Sequence, residues 1–118
     1  MKCIYLDNQA TTPIDPQVFS AMEPWLKDKF GNAASINHPY GWEAQEAVEI
    51  ARENVAHIIG ALSKEIIFTS GATEANNMAL QGLAHCYKDY GCHIITLKTE
   101  HKAVLDVFYF LEKEGFEI

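Results

Sequence analysis

The chain has 118 residues, 48% of them hydrophobic, so it is long enough for one ordinary domain with an apolar core. Sixteen acidic residues against nine basic ones give a formal net charge of -7, which argues against nucleic acid or an anionic membrane as the main partner. The apolar stretches are too short to span a bilayer and the first residues show no signal-peptide pattern, so we predict a soluble, cytoplasmic protein.

The three cysteines are odd in number and do not have the Cys-x-x-Cys spacing that is typical of zinc sites and redox motifs. An odd number also does not fit a framework of disulfides. We therefore predict three reduced thiols, at Cys3, Cys86 and Cys92, and no metal site.

The first predicted element is an extended N-terminal segment, residues 1–15. It contains a strand-like run at residues 4–6 and a polar loop at residues 7–13, which either lines a site or is a plain turn. Asp15 and Pro16 then have the residue types of an N-cap and a first helical position. They predict a short helix, which Pro24 should kink or end early.

Residues 30–41 show no periodicity and are predicted to form a loop. After them, apolar residues recur at intervals of three and four, with glutamates on the opposite side, and this predicts a long amphipathic helix that ends at Gly60. Its apolar positions are Ala44, Val48, Ala51, Val55, Ile58 and Ile59.

The second half of the chain alternates between strand-like and helical patterns. Strands are predicted at residues 65–69, 92–97 and from Phe116 onward, and a helix from Lys102 to a stop at Gly115. Strands that alternate with helices predict an α/β fold with a mainly parallel sheet and flanking helices. The helix between the first two strands should bury a stripe formed by Ala75, Met78, Ala79, Leu83 and Cys86.

Small residues mark the junction between a predicted strand and a helix at Ser70-Gly71-Ala72-Thr73. The first backbone N–H groups of a helix have no internal partner, and together with a threonine hydroxyl they can hold an anion such as phosphate. The same residues are a common start of any helix, so an ordinary cap is the alternative.

His101 lies in the loop after the next predicted strand. Loops at the carboxyl ends of parallel strands lie close together, so His101 and the junction at Thr73 could meet over one ligand. There a histidine could stack on an aromatic cofactor, donate a hydrogen bond or move a proton, or it could merely cap the helix that begins at Lys102.

Four segments together resemble the N-terminal motifs of the pyridoxal-phosphate-dependent cysteine desulfurases, in the branch that serves iron–sulfur assembly. They are residues 6–13, residues 30–35 with His38 and Gly41, residues 68–77 and residues 99–105. The resemblance covers essentially the whole chain. It implies that residues 16–118 are part of the large domain of a fold-type I transferase, truncated as a strand begins.

The resemblance implies an enzyme that takes sulfur from L-cysteine, releases L-alanine and passes the sulfur as a persulfide to an iron–sulfur scaffold protein. It implies that Ala72 and Thr73 bind the cofactor phosphate and that His101 stacks on the pyridine ring and assists proton transfer. Asn32 and the loop to His38 would lie near the substrate. The cofactor, pyridoxal 5'-phosphate, carries the chemistry as an electron sink.

The same resemblance assigns the Schiff-base lysine and the persulfide cysteine to positions beyond the matched region, so the chain alone is expected to be inactive. Two classes of function stay open. The chain is either a fragment or split part of a desulfurase, with a C-terminal companion and a homodimeric or self-associated state, or a truncated, non-catalytic paralogue that binds or dimerises.

Overall fold

Four α-helices are found in residues 3–118, which are the residues that this computed structural model describes: α1 (Pro16–Lys27), α2 (Pro39–Ile59), α3 (Ala72–Cys86) and α4 (Lys102–Lys113). A 3-10 helix, Ser63–Glu65, lies between α2 and α3. Met1 and Lys2, which belong to the predicted segment 1–15, lie outside the described residues. Contacts group the chain into two units, one ending at Ile66 and the other comprising Ile67–Ile118.

The start of α1 confirms the predicted cap. Asp15 Oδ1 accepts hydrogen bonds from the N–H groups of Gln17 at 2.8 Å and Val18 at 3.4 Å, and Pro16 occupies the first helical position. The predicted early end at Pro24 is wrong, because α1 continues to Lys27. Proline removes one N–H donor, but its own carbonyl accepts from the N–H groups that follow the helix and so completes the last turn.

The loop before α2 ends earlier than predicted. Pro39 already belongs to the helix, and His38 caps it by accepting a hydrogen bond from Gly41 N–H at Nδ1, at 3.2 Å. Gly41 needs to lack a Cβ, since a Cβ there would lie 1.8 Å from the carbonyl oxygen of Ser35. The far end of α2 confirms the prediction, because Gly60 adopts the left-handed conformation, with φ at 69°, that stops a helix.

None of the predicted strands forms as a continuous strand within residues 3–118. A parallel bridge joins His93 and Glu117, with hydrogen bonds of 2.8 Å from Ile94 N–H to Glu117 O and from Glu117 N–H to Cys92 O. Glu65, the first residue of one predicted strand, belongs to the 3-10 helix instead. The bridge has the parallel direction expected on either side of α4, and the rest of the sheet stays a prediction.

The core of the second unit forms where α3 and α4 pack together. Its buried side chains are Val107, Phe108 and Leu111 of α4 and Phe116 beyond it. Gly115, with φ at 94°, follows the end of α4 as predicted.

The predicted stripe of α3 is wrong. Leu80 and Ala84 pack against the core, whereas Met78 and Leu83 remain 46% and 59% exposed. Apolar residues lie on more than one side of α3, so spacing alone did not determine which side would contact α4.

Cys3, Cys86 and Cys92 each carry a free thiol. Within residues 3–118, no group of three or more histidine, cysteine, aspartate or glutamate side chains is placed to hold a metal ion. None of the helices in the described part of the chain has the length and apolar character needed to cross a membrane.

Candidate functional site

The N-terminus of α3 carries backbone donors that no side chain caps. Gly71 is the N-cap, and the first helical hydrogen bond runs from Ala75 N–H to Gly71 O at 3.1 Å. Among the described residues, the N–H groups of Gly71, Ala72 and Thr73 have no hydrogen-bond acceptor. These donors and the positive end of the helix dipole are suited to an anion, and the anion site itself stays a prediction.

Glu74 binds the residue that precedes the N-cap. Its Oε2 accepts hydrogen bonds from Ser70 N–H at 2.6 Å and from Ser70 Oγ at 2.7 Å. Both bonds favour the ionised carboxylate, and they hold the pKa of Glu74 below its usual range. The carboxylate therefore ties the first turn of α3 to the loop before it.

His101 is the N-cap of α4. Its Nδ1 accepts a hydrogen bond from Ala103 N–H at 3.0 Å. His101 therefore caps α4, which was one of the alternatives predicted from the sequence. An accepting Nδ1 places the proton of the neutral ring on Nε2. The His101 side chain is exposed.

The starts of α3 and α4 share one cleft. Thr73 and Ala103 both line a cavity of about 300 Å³, and Ala103 is two residues from His101. The structure therefore brings residues of the first turns of α3 and α4 to one cavity, whereas Ala72 and His101 themselves do not line it. A ligand shared by the two loops stays a prediction. The remaining lining residues are Asn77, Gln81, Asp106, Val107 and Phe110.

Two polar side chains of this cleft are absent from the sequence-based prediction. Asn77 Nδ2 donates to the carbonyl of Thr73 at 2.9 Å, and Gln81 Nε2 donates to Asn77 Oδ1 at 3.0 Å. The three residues are spaced four apart on α3, and this spacing is the signal that could have identified them. Together they form a polar ridge from the first turn of α3 into the cleft.

In the first unit, the side chains predicted to lie near a substrate make local hydrogen bonds. Asn32 Oδ1 accepts from Ala34 N–H at 2.9 Å, and His38 Nδ1 caps α2. These bonds order the loop between α1 and α2. The role of Asn32 and His38 toward a substrate stays a prediction.

Comparison with known proteins identifies relatives over almost the whole chain. The family model described as aminotransferase class-V matches residues 4–118. Cysteine desulfurase IscS of Anaeromyxobacter sp. (strain K) is 57% identical over 115 residues, which are 98% of this chain and 28% of the relative. Cysteine desulfurase IscS of Haemophilus ducreyi is 60% identical over 117 residues, 98% of this chain and 29% of the relative. The chain thus spans less than a third of the length of these curated relatives.

Solved structures show the same similarity. A NifS-like protein superposes with a TM-score of 0.82 at 41% identity, over 93% of this chain and 30% of that chain. DndA from Streptomyces lividans superposes with a TM-score of 0.76 at 48% identity, over 97% of this chain and 32% of that one. SspA, solved in complex with cysteine, gives a TM-score of 0.78 at 42% identity, over 92% of this chain and 31% of that chain.

Proposed function

We propose, since this chain belongs to the aminotransferase class-V family, that it supplies part of the pyridoxal 5'-phosphate site of a cysteine desulfurase. Such an enzyme transfers sulfur from L-cysteine as a persulfide for iron–sulfur cluster assembly and releases L-alanine. The observation that carries the proposal is the uncapped start of α3, which shares a cleft with the start of α4. Relatives at 57% and 60% identity that are named cysteine desulfurase support it.

The donors at the start of α3 fit the phosphate group of the cofactor. The N–H groups of Ala72 and Thr73 have no acceptor among the described residues, and Thr73 adds a hydroxyl to the same turn. Backbone N–H groups at a helix N-terminus and a hydroxyl are the usual ligands of a bound phosphate. Ala72 and Thr73 would therefore hold the phosphate, while the bound cofactor would supply the electron sink for carbanion chemistry.

His101 would act on the ring end of the cofactor. Because Nδ1 is engaged by Ala103 N–H, the imidazole is held at the N-terminus of α4 and Nε2 is the nitrogen that remains to exchange a proton. The exposed ring can also stack on a pyridine ring. The family resemblance assigns both roles to His101.

The remaining parts of the proposal concern the whole enzyme. We expect a mainly parallel α/β sheet with flanking helices, in which residues 16–118 form part of the large domain. A homodimer, a C-terminal companion chain, an iron–sulfur scaffold partner and a cytoplasmic location are likewise proposed. Relatives named cysteine desulfurase, which align with 98% of this chain, support the family assignment on which these proposals depend.

Titration of the chain with pyridoxal 5'-phosphate, pyridoxal and inorganic phosphate tests the proposal. The phosphate-bearing cofactor should bind more tightly than pyridoxal, and Thr73→Ala should weaken it by about 1.5–3 kcal/mol at a shielded site and less at a wet one. Thr73→Ser, which keeps the hydroxyl, is the matched control and should bind as the wild type does.

Equal affinity for pyridoxal and its phosphate, with no effect of Thr73→Ala in a folded protein, would contradict the proposal. The start of α3 would then be an ordinary helix terminus. The second candidate function, a truncated paralogue that binds or dimerises without catalysis, would replace the first. The many exposed large apolar side chains of the described residues favour that candidate over other non-catalytic roles.

A further inference from the structure

Glu74 is the only acidic residue in the first turn of any of the four α-helices within residues 3–118. It is three residues after the N-cap Gly71, the position from which a glutamate ordinarily reaches back to the N-cap N–H. Here its carboxylate passes over that N–H and binds Ser70, one residue earlier, through two short hydrogen bonds. The interaction therefore holds the loop before α3 and does not cap the helix.

The bonds between Glu74 and Ser70 determine which backbone N–H donors have no acceptor at the start of α3. A carboxylate in the first turn competes with any anion for the free N–H groups of the helix. Because Oε2 of Glu74 takes both donors of Ser70, it leaves the N–H groups of Gly71, Ala72 and Thr73 without an acceptor in the described chain. Thr69 Oγ also donates to Gly71 O at 3.2 Å, so the loop is held from both sides of Ser70.

We infer that Glu74 is a positioning residue for the phosphate site: its bonds to Ser70 set the loop so that the donors from Gly71 to Thr73 converge on one anion. The inference rests on the proposed function, because it concerns the same site. This role requires a side chain that is long enough to reach Ser70 and that accepts two hydrogen bonds from it. It does not require the negative charge, which by itself repels a phosphate.

Three substitutions at Glu74 separate the effect of side-chain length from the effect of charge. Glu74→Gln keeps an oxygen that can accept both bonds from Ser70 and removes the charge. Glu74→Asp keeps the charge and its favourable place at the helix N-terminus but is one methylene too short to reach Ser70 in the same way. Glu74→Ala removes both properties, and Glu46→Ala, at an exposed position of α2, is the matched control.

The 118-residue chain and each variant are titrated with pyridoxal 5'-phosphate and with pyridoxal, and helix content is measured by circular dichroism. Glu74→Asp and Glu74→Ala should bind the phosphate-bearing cofactor about tenfold more weakly, with pyridoxal affinity unchanged. Glu74→Gln should restore binding to within about threefold of the wild type, and Glu46→Ala should match the wild type. Rescue by glutamine is the readout that a role in helix stability through the dipole would not produce, since glutamine has no charge.

Failure of this inference and failure of the proposed function give different results. If wild-type chain prefers pyridoxal 5'-phosphate over pyridoxal but Glu74→Asp keeps that preference, Glu74 is not a positioning residue. If the wild type shows no preference, the phosphate site itself is absent. If Glu74→Ala loses helix content, only Glu74→Asp and Glu74→Gln test the inference, because both keep a residue suited to the first turn of a helix. Equal loss of affinity for pyridoxal 5'-phosphate in these two variants would overturn the inference.

Discussion

His101 Nδ1 accepts a hydrogen bond from Ala103 N–H at 3.0 Å, so the histidine expected to contact the cofactor ring is also the cap of α4. The two roles use different parts of the imidazole. The cap occupies the lone pair of Nδ1 in the ring plane, and stacking would use the ring face. The pair therefore couples the start of α4 to the orientation of the ring.

His101→Asn separates these roles, because asparagine is a good N-cap but has no aromatic ring. It should keep α4 intact, leave the affinity for inorganic phosphate unchanged and weaken pyridoxal 5'-phosphate by about 0.5–1.5 kcal/mol, the value of one aromatic stacking contact. His101→Ala should show the same ligand effect and also destabilise α4 by about 1 kcal/mol. Titration of both ligands and denaturant unfolding measure the two effects. Unchanged cofactor affinity in His101→Asn would restrict His101 to capping.

The bond between Glu74 and Ser70 predicts a pH dependence at the start of α3. The pKa of Glu74 is lowered below its ordinary value of 4.5, first by the Ser70 N–H and then by the Ser70 hydroxyl. A lowered pKa in the folded state means that this stabilising contribution is fully present above pH 4.5 and is lost as the pH falls through the lowered pKa. The carboxyl carbon shift of Glu74, followed by NMR, should therefore titrate below the ordinary value of 4.5. A midpoint at or above that value would show that the bond is not formed in solution.

Leu111 should be the most costly apolar side chain to truncate in α4. It is 0% exposed and packs in the core with Val107, Phe108 and Phe116. Leu111→Ala should lower the free energy of unfolding by about 2–5 kcal/mol, through lost burial and the cavity that remains. Leu83→Ala removes the same atoms from a side chain that is 59% exposed, so its effect should be well under half as large. Urea unfolding of both variants tests this, and equal losses would mean that α3 buries its predicted stripe in solution.

The 118-residue chain alone should release no alanine from L-cysteine above the background of free pyridoxal 5'-phosphate. The family resemblance places the Schiff-base lysine and the persulfide cysteine at positions that this chain does not match, and covalent catalysis needs both groups in place. The assay compares wild type with His101→Ala. Turnover above background that His101→Ala abolishes would show that the chain catalyses the reaction by itself.

Self-association is expected, because the second unit exposes several large apolar side chains. Ile95 is 86% exposed, Leu97 63% and Ile67 63%. Exposed apolar surface and unpaired backbone beside a short bridge favour contact with another chain. Sedimentation velocity over a wide concentration range should show species larger than the monomer, and Ile95→Lys should reduce them. A single monomeric species at every concentration would contradict this prediction.

Features with local causes could be predicted from the sequence alone. Asp15 caps α1, Gly60 ends α2 in the left-handed conformation and Gly115 follows α4 because each effect involves only a few neighbouring residues. The family motifs assign Thr73 and His101 to a cofactor site, and that assignment stays a prediction. A helix satisfies its backbone within one segment, so spacing and caps are enough to predict where it forms.

The tertiary structure decided the features that need a distant partner. A strand takes its hydrogen bonds from another segment, and of the predicted strands only His93 and Glu117 find one within residues 3–118. The buried side of α3 was decided by α4, which selects Leu80 and Ala84 over Met78 and Leu83. The packing of α3 against α4 also placed Thr73 and Ala103 at one cavity. The hydrogen bonds from Ser70 to Glu74 follow from no spacing rule, because they depend on where the loop before α3 lies.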